Sequence, residues 1–382
     1  MRVKAPGLIA VLFFTVCVWG YSTEAFPAVE FARCFNITYH GDYKKLEVKN
    51  PWRGAQEGFV YILVPRDKPV PGDIPPGAIV IRTPVERVAV LSTTFVAFFP
   101  MIGVQNSIVG IGEPDWVHTP EVASLIQQGK ITKVGKGRGM GLRFDEERLL
   151  ALKPDIVILY GTGNPALDQH PKLIEGGFKP VIVATHMENH PLGRAEWIKF
   201  LAAFFNKEAE AERVFQDIVS KYNLLAEKVK SVPYRPTVFC NAPIRGSWHV
   251  PGGGGYVAKF IQDAGGKYLW DDDKSTGVMT VATEAVIERA RDADFWIGVI
   301  MPVKSMEELR SIDERFSIVN AFKKGNVFNN DAKVNSAGGN DFWETGVARP
   351  DLVLADFIKI LHPDLLPDHQ LIWYRRLPAS DR

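Results

Sequence analysis

The 382-residue sequence is poor in cysteine, nearly without net charge and, past its first 25 residues, without a long apolar run. Three cysteines, Cys17, Cys34 and Cys240, cannot staple a chain of this length, so its stability has to come from buried apolar cores. Lysine and arginine number 45 against 44 aspartates and glutamates, a formal charge of +1. With no basic surplus to neutralise phosphates, nucleic acid is not an expected partner. Beyond the N-terminus no segment approaches the roughly 18 consecutive apolar residues of a membrane-spanning helix. The sequence also lacks HExxH, GxSxG and CxxC, which removes the common signatures of zinc proteases, serine hydrolases and dithiol chemistry. The run Gly135-Lys136-Gly137-Arg138-Gly139-Met140-Gly141 has no Gly-Lys-Ser/Thr ending and is not a nucleotide loop.

What is present is a globular composition, 46% hydrophobic, 23% charged and 11% aromatic, which excludes a disordered or fibrous chain. The length suits two domains and a smaller element. Residues 1–25 read as an export signal. Arg2 and Lys4 form a basic start, residues 8–19 (LIAVLFFTVCVW) an apolar run too short to span a bilayer, and Thr23-Glu24-Ala25 places small residues at the cleavage positions. Cleavage after about Ala25 would leave a soluble protein in the periplasm. Phe14-Thr15-Val16 ahead of Cys17 does not match the pattern that precedes a lipidated cysteine. Loss of Arg2, Lys4 and Glu24 leaves the remaining charges balanced. Cys34 and Cys240 then remain, and the sequence leaves open whether they pair or stay as buried thiols.

Residues 26–82 are a β-rich N-terminal extension: segments 35–39, 43–48 and 59–64 are rich in aromatic and β-branched residues, and the Pro/Gly-rich stretch 65–77 follows them. From residue 83 short apolar strands alternate with helices through residue 192, the pattern of an α/β lobe with parallel strands. Residues 193–235 carry helical periodicity, with Trp197, Leu201, Phe204, Ala211, Phe215, Ile218, Tyr222, Leu225 and Val229 at three- and four-residue steps. Asn206 is a candidate break that leaves a long rod from Lys207 onward, and Pro233 and Pro236 end the run. A second alternating block, residues 236–365, echoes the first, and residues 366–382 form a tail. The fold class is therefore α/β, two similar α/β lobes joined by a single long helix, with an N-terminal β-rich extension.

Three stretches carry a resemblance. Pro84-Val85-Glu86-Arg87-Val88-Ala89-Val90-Leu91-Ser92 looks like a first strand and turn, Phe144 through Asp155 (FDEERLLALKPD) like a helix-to-strand signature, and Ala264-Gly265-Gly266 like the turn after a second-lobe helix. In combination with the two-lobe plan, residues 83–365 resemble the periplasmic substrate-binding proteins of ferric-siderophore and cobalamin uptake by ABC transporters. The resemblance implies capture of a metal chelate, a siderophore, haem or cobalamin, between the lobes and its delivery to an inner-membrane ABC permease with its ATPase. It implies a monomer that binds rather than turns over its ligand, with no resident cofactor and no bound metal of its own. It also implies one acidic docking residue on each lobe: Glu284 fits the second-lobe position, and Asp168 is the nearest first-lobe match.

Loops at the carboxyl ends of strands are the expected ligand contacts. After the first strand these are Thr93 and Thr94, which also suit a helix cap. Trp116 in Glu113-Pro114-Asp115-Trp116 and Tyr160 at the end of IVILY can stack on a ring, or pack as structural aromatics. Arg138 and Arg143 can meet an anionic chelate, or stay solvated. In the second lobe Arg245, Trp248, His249 and Tyr256 flank the four glycines 252–255, which permit close approach of a ligand. Asn340 and Trp343 belong to a late loop that either closes over the ligand or caps a helix. Two other readings stay in view. His186 and His190 lie four residues apart, a zinc-compatible spacing, but Asn189 and Pro191 argue for a loop there, and a receptor for free zinc or manganese would need three or four converging ligands. An exported enzyme would have to use the scattered histidines.

Overall fold

In the computed structural model residues 28–137, 141–244, 246–299 and 303–379 are described, and the export signal expected over residues 1–25 lies outside them. Strands β1 (Phe35–His40), β2 (Tyr43–Val48), β3 (Phe59–Pro65) and β4 (Ile79–Thr83) form a separate four-stranded sheet in that order. The first three are an antiparallel meander, and β4 returns parallel to β3.

The first lobe runs through β5 (Val88–Val90), β6 (Ile108–Ile111), α1 (Pro120–Gln127), β7 (Thr132–Lys133), the hairpin β8 (Gly135–Lys136) and β9 (Arg143–Phe144), α2 (Glu146–Leu152), β10 (Ile156–Leu159), α3 (His170–Glu175) and β11 (Pro180–Ile182). Its parallel sheet has the order β11-β10-β5-β6-β7. β5 and β10 are buried along their whole length, as a strand covered on both faces by helices must be. The α2-to-β10 module is fixed locally. Asp145 caps α2 by accepting from the Arg148 amide, and Lys153 ends it in the left-handed region at φ 47, so the chain turns directly into IVIL.

The periodic run after the first lobe is two helices, α4 (Pro191–Ala203) and α5 (Glu208–Lys228). They part at residues 204–207, where Asn206 takes φ 55, a conformation that asparagine tolerates. The 21-residue α5, about 30 Å at 1.5 Å per residue, is the long amphipathic helix leading to the second lobe. α4 is buried on nearly every side, so its polar residues require partners. Glu196 accepts from the amides of Glu30, Phe31 and Ala32 at 2.7–2.8 Å and pairs with Lys199 at 3.1 Å. Glu188, just before α4, accepts from the Arg33 and Cys34 amides and from the Trp197 indole. These buried carboxylates fasten the entering chain, and with it the N-terminal sheet, to the body of the protein.

The second lobe contains β12 (Thr237–Cys240), β13 (Pro243–Ile244), β14 (Ser247–Pro251), α6 (Tyr256–Asp263), β15 (Lys267–Tyr268), β16 (Val278–Ala282), α7 (Thr283–Arg289), β17 (Phe295–Ile297), β18 (Val327–Asn329), α8 (Pro350–Leu361) and β19 (Arg375–Arg376). Its main sheet has the order β15-β12-β17-β18-β19, parallel except for β19, and β13-β14-β16 form a small antiparallel sheet. Cys34 and Cys240 are buried free thiols, so the disulfide alternative is not realised, and burial pushes both up to about 12. Among the described residues no helix is long and apolar enough to cross a membrane.

Candidate ligand-binding cleft

Two concavities open at the carboxyl ends of the parallel strands, where open α/β sheets bind ligands. That of the first lobe is lined by Thr93 after β5, Glu113 and Trp116 after β6, Tyr160 and Thr162 after β10, and Asp168. That of the second lobe is lined by Asn241 after β12, Val299 after β17 and Asn330 after β18, with His249, Tyr256, Asn340 and Trp343. Eight Trp, Tyr and Phe rings, Trp116, Tyr160, Tyr256 and Trp343 among them, thus stand among amides, hydroxyls and the carboxylates of Glu113 and Asp168. Such a lining stacks on and hydrogen-bonds to a large organic group. Burial, reinforced by Asp168 and Glu113, raises the Tyr160 phenol above its ordinary range, so Tyr160 stays a hydrogen-bond donor.

The lobes touch directly at one end of the cleft. Glu344, 1% exposed, accepts from the His118 amide (3.1 and 3.2 Å) and from the amide and hydroxyl of Thr119 (2.8 and 2.5 Å). Around this carboxylate the Trp116 indole donates to the Ala337 carbonyl at 3.0 Å and Asn335 donates to the Asp115 carbonyl at 3.0 Å. Gly339 is required here, because a Cβ on it would stand 2.4 Å from the Trp116 carbonyl oxygen. The loop after β6 and the loop after β18 are therefore latched together. Burial raises the Glu344 carboxyl above the usual range against the donors that lower it.

Several expected contacts lie on the two concavities: Thr93, Trp116 and Tyr160 line that of the first lobe, and His249, Tyr256, Asn340 and Trp343 that of the second. Asn340 is held by its own loop, donating to the Asn330 carbonyl and capping Phe342, whereas Trp343 is 45% exposed. Thr94 lies in the same turn as Thr93 but outside the lining. Arg143 lies outside the lining, its guanidinium donating to the Leu142 and Ala166 carbonyls. Arg138 and Arg245 lie outside the described residues.

Two expectations are corrected. Trp248 is a core residue, 1% exposed: it alternates inward on β14, donates to the Cys240 carbonyl and packs on Phe239, Trp296 and Phe316, so it has no face for a ligand. The glycines 252–255 make room for the chain itself. A Cβ on Gly253 would stand 2.0 Å from the Trp270 carbonyl oxygen, and the Gly252 and Gly254 amides donate to Gly277 and Ser275. Asp168, the expected first-lobe docking acid, lines the first-lobe concavity and turns its carboxylate onto the Thr162 amide and hydroxyl and the Gly163 amide. Glu284 is exposed at the start of α7 and pairs with Arg315 at 2.9 Å.

Two functional-looking residues escaped the sequence reading. Arg194, in the first turn of α4, holds its guanidinium 3.3 Å over the Tyr256 ring, and its buried Nε makes no hydrogen bond among the described residues. It read as one more polar position at the start of a long helix. Glu344 read as the end of a loop, and its partners lie more than 200 residues away, where no local signal reaches.

Residues 88–334 match the Periplasmic binding protein family. An uncharacterized lipoprotein of Methanocaldococcus jannaschii is 28% identical over 359 residues, spanning 88% of this chain and 82% of the relative. In fold the chain is similar to a possible iron-binding (periplasmic solute-binding) protein from Staphylococcus epidermidis, at 18% identity and TM-score 0.58, covering 73% of this chain and 100% of that one. It is similar also to a periplasmic heme binding protein from Pseudomonas aeruginosa, at 17% identity and TM-score 0.53, covering 73% and 93%. The family match takes in more than half of the sequence and runs from β5 of the first lobe past β18 of the second. On that footing the chain belongs to the periplasmic binding protein family.

Proposed function

We propose that this protein captures a metal chelate, an iron siderophore, haem or cobalamin, in the cleft between its lobes and hands it to an inner-membrane ABC importer. The observation that carries this reading is the lining: eight aromatic rings, with amides and hydroxyls, around two concavities. A free zinc or manganese ion calls instead for three or four converging His, Cys or carboxylate ligands. His249 is the only imidazole of the described lining, and among the described residues no such cluster occurs. The Staphylococcus and Pseudomonas structures, named for iron binding and for heme binding, support the same class of cargo. The metal arrives as part of the cargo, so the protein needs no cofactor of its own and works by binding without turnover. Export by residues 1–25, cleavage after Ala25 and action as a periplasmic monomer complete the proposal. Glu284, exposed in the first turn of α7, is the proposed contact to a basic permease residue.

The test is tryptophan fluorescence of the purified mature chain titrated with haem, cyanocobalamin, ferric siderophores and free zinc or manganese. Trp343 and Trp116 border the cleft, so saturable quenching by one chelate is expected. Saturation by a free metal ion alone would replace the chelate with an ion.

A further inference from the structure

The loop over residues 49–58, between β2 and β3, leaves the N-terminal sheet and touches both lobes. On the first lobe the Trp52 indole lies against Gly161 and Gly163, the neighbours of the cleft residue Thr162. A Cβ on Gly161 would stand 2.5 Å from Trp52 Cε3, and one on Gly163 2.5 Å from Cδ1. The same ring stacks on His170 at the start of α3, with centroids 5.4 Å apart, and meets Phe59 edge-on. On the second lobe the Arg53 guanidinium covers Gly277 so closely that a Cβ there would fall 1.2 Å from Nη2. Gly277 leads into β16, whose Thr280 pairs with the cleft residue His249. A loop from outside both lobes therefore joins one cleft wall to the other.

Strand order places this bridge opposite the Glu344 latch. In the first sheet β10, which leads into Gly161, lies on the other side of β5 from β6, which leads into the latch. In the second sheet the loop ending at Gly277 follows the edge strand β15, whereas the latch segment follows β18 on the far side of β12 and β17. The two ends also differ in strength. The latch buries a carboxylate under three donors. The bridge reaches the second lobe through the exposed Arg53, while its own sheet is held firmly on the first-lobe side, where Ile182 donates to the Tyr61 hydroxyl at 2.8 Å.

We propose that Trp52 and Arg53 are positioning residues of the ligand site: Trp52 fixes the Thr162 wall, and Arg53 is the releasable contact at which the lobes part to admit a ligand. The latch is then the fixed end about which they part. The link to a ligand rests on the chelate reading of the cleft, but the motion itself does not.

Spin-label distances in the ligand-free full mature chain test it. One label pair, Glu175→Cys with Lys274→Cys, spans the bridge end, and a second, Glu121→Cys with Ala332→Cys, spans the latch end, all at exposed positions. Arg53→Ala and, separately, Trp52→Ala should add a longer-distance population to the first pair and leave the second unchanged. Arg53→Lys and Trp52→Phe should restore the short population in part. An unchanged first pair, or equal broadening of both pairs, would overturn the proposal. In stopped-flow mixing with whichever of haem, cyanocobalamin or a ferric siderophore binds the unmodified chain, Arg53→Ala should release it about tenfold faster, since changes at one site act mainly on dissociation. An unchanged release rate would remove the role in ligand passage. Failure of every chelate to bind the unmodified chain would refute the chelate reading alone, with the label distances still deciding the bridge.

Discussion

Replacing Glu344 by alanine should be the most costly single change at the cleft that touches no core aromatic. The carboxylate is 1% exposed and accepts from the His118 amide, the Thr119 amide and the Thr119 hydroxyl. Alanine leaves those three donors facing a buried gap, and each stranded donor costs about 1–3 kcal/mol. Against this stands relief of the carboxylate's own desolvation, which is real because burial raises its pKa. The balance is a loss of about 3–4 kcal/mol, within the range for breaking a buried charged network. Glu344→Gln keeps one acceptor oxygen and should lose about half as much. Thr119→Val, which removes one bond and keeps the shape, should cost about 1–2 kcal/mol and couple to Glu344→Gln rather than add to it. Urea unfolding followed by circular dichroism measures each value. A loss below about 1 kcal/mol for Glu344→Ala would show that the latch is a surface contact, and would remove the fixed end of the proposed motion.

Other expectations follow from the same geometry. His190 caps α4 through Nδ1, which accepts from the Leu192 amide; burial, helped by Lys259 and Arg33 and opposed by Asp263, lowers its pKa to about 4 from 6.5. The unfolded chain therefore takes the proton first, so stability from this group is complete above about pH 6.5 and falls toward pH 4, by at most ~3 kcal/mol. His190→Asn keeps a cap and should flatten that part of the stability–pH curve measured by urea unfolding. Trp248→Ala should cost about 3–5 kcal/mol in thermal or urea unfolding because it empties a core site, whereas Trp343→Ala should barely change stability and should weaken chelate binding in a fluorescence titration. Gly253→Ala should destabilise by over ~2 kcal/mol, since its Cβ meets backbone oxygen that cannot step aside. Glu284→Ala should leave chelate affinity unchanged and reduce uptake by vesicles carrying the importer.

Much of the architecture is written in local pattern. The FDEERLLALKPDIVILY stretch shows a cap, a helix, a turn and a buried strand within one window, and the structure places all four there. The helical run 193–230 was legible as helix, and Asn206 marked its division, but nothing local showed that α4 would be buried on nearly every side, with the N-terminal chain bound at its Glu196. The site was harder to see. Trp248 and Trp343 look alike in sequence, each an aromatic beside glycines and polar residues, yet one points inward and the other out. The alternation of Ser247-Trp248-His249-Val250-Pro251 held the answer, because Trp248 and Val250 fall on one face of a strand and His249 on the other. The glycine run beside it drew the eye to a ligand when its contacts were Trp270, Ser275 and Gly277 of the same lobe. Glu344, Trp52 and Arg53 act across long sequence separations, and residue type alone carries no sign of it.

The central claim is that a metal chelate binds in the cleft between the lobes. Isothermal titration of the mature chain with haem, cyanocobalamin and ferric siderophores, repeated with Thr93→Trp to fill the first-lobe wall, tests it most directly. The account predicts one chelate binding at a single site, at least tenfold weaker in Thr93→Trp, a loss of about 1.4 kcal/mol or more. Binding that Thr93→Trp leaves intact, or heat from free zinc or manganese alone, would contradict it.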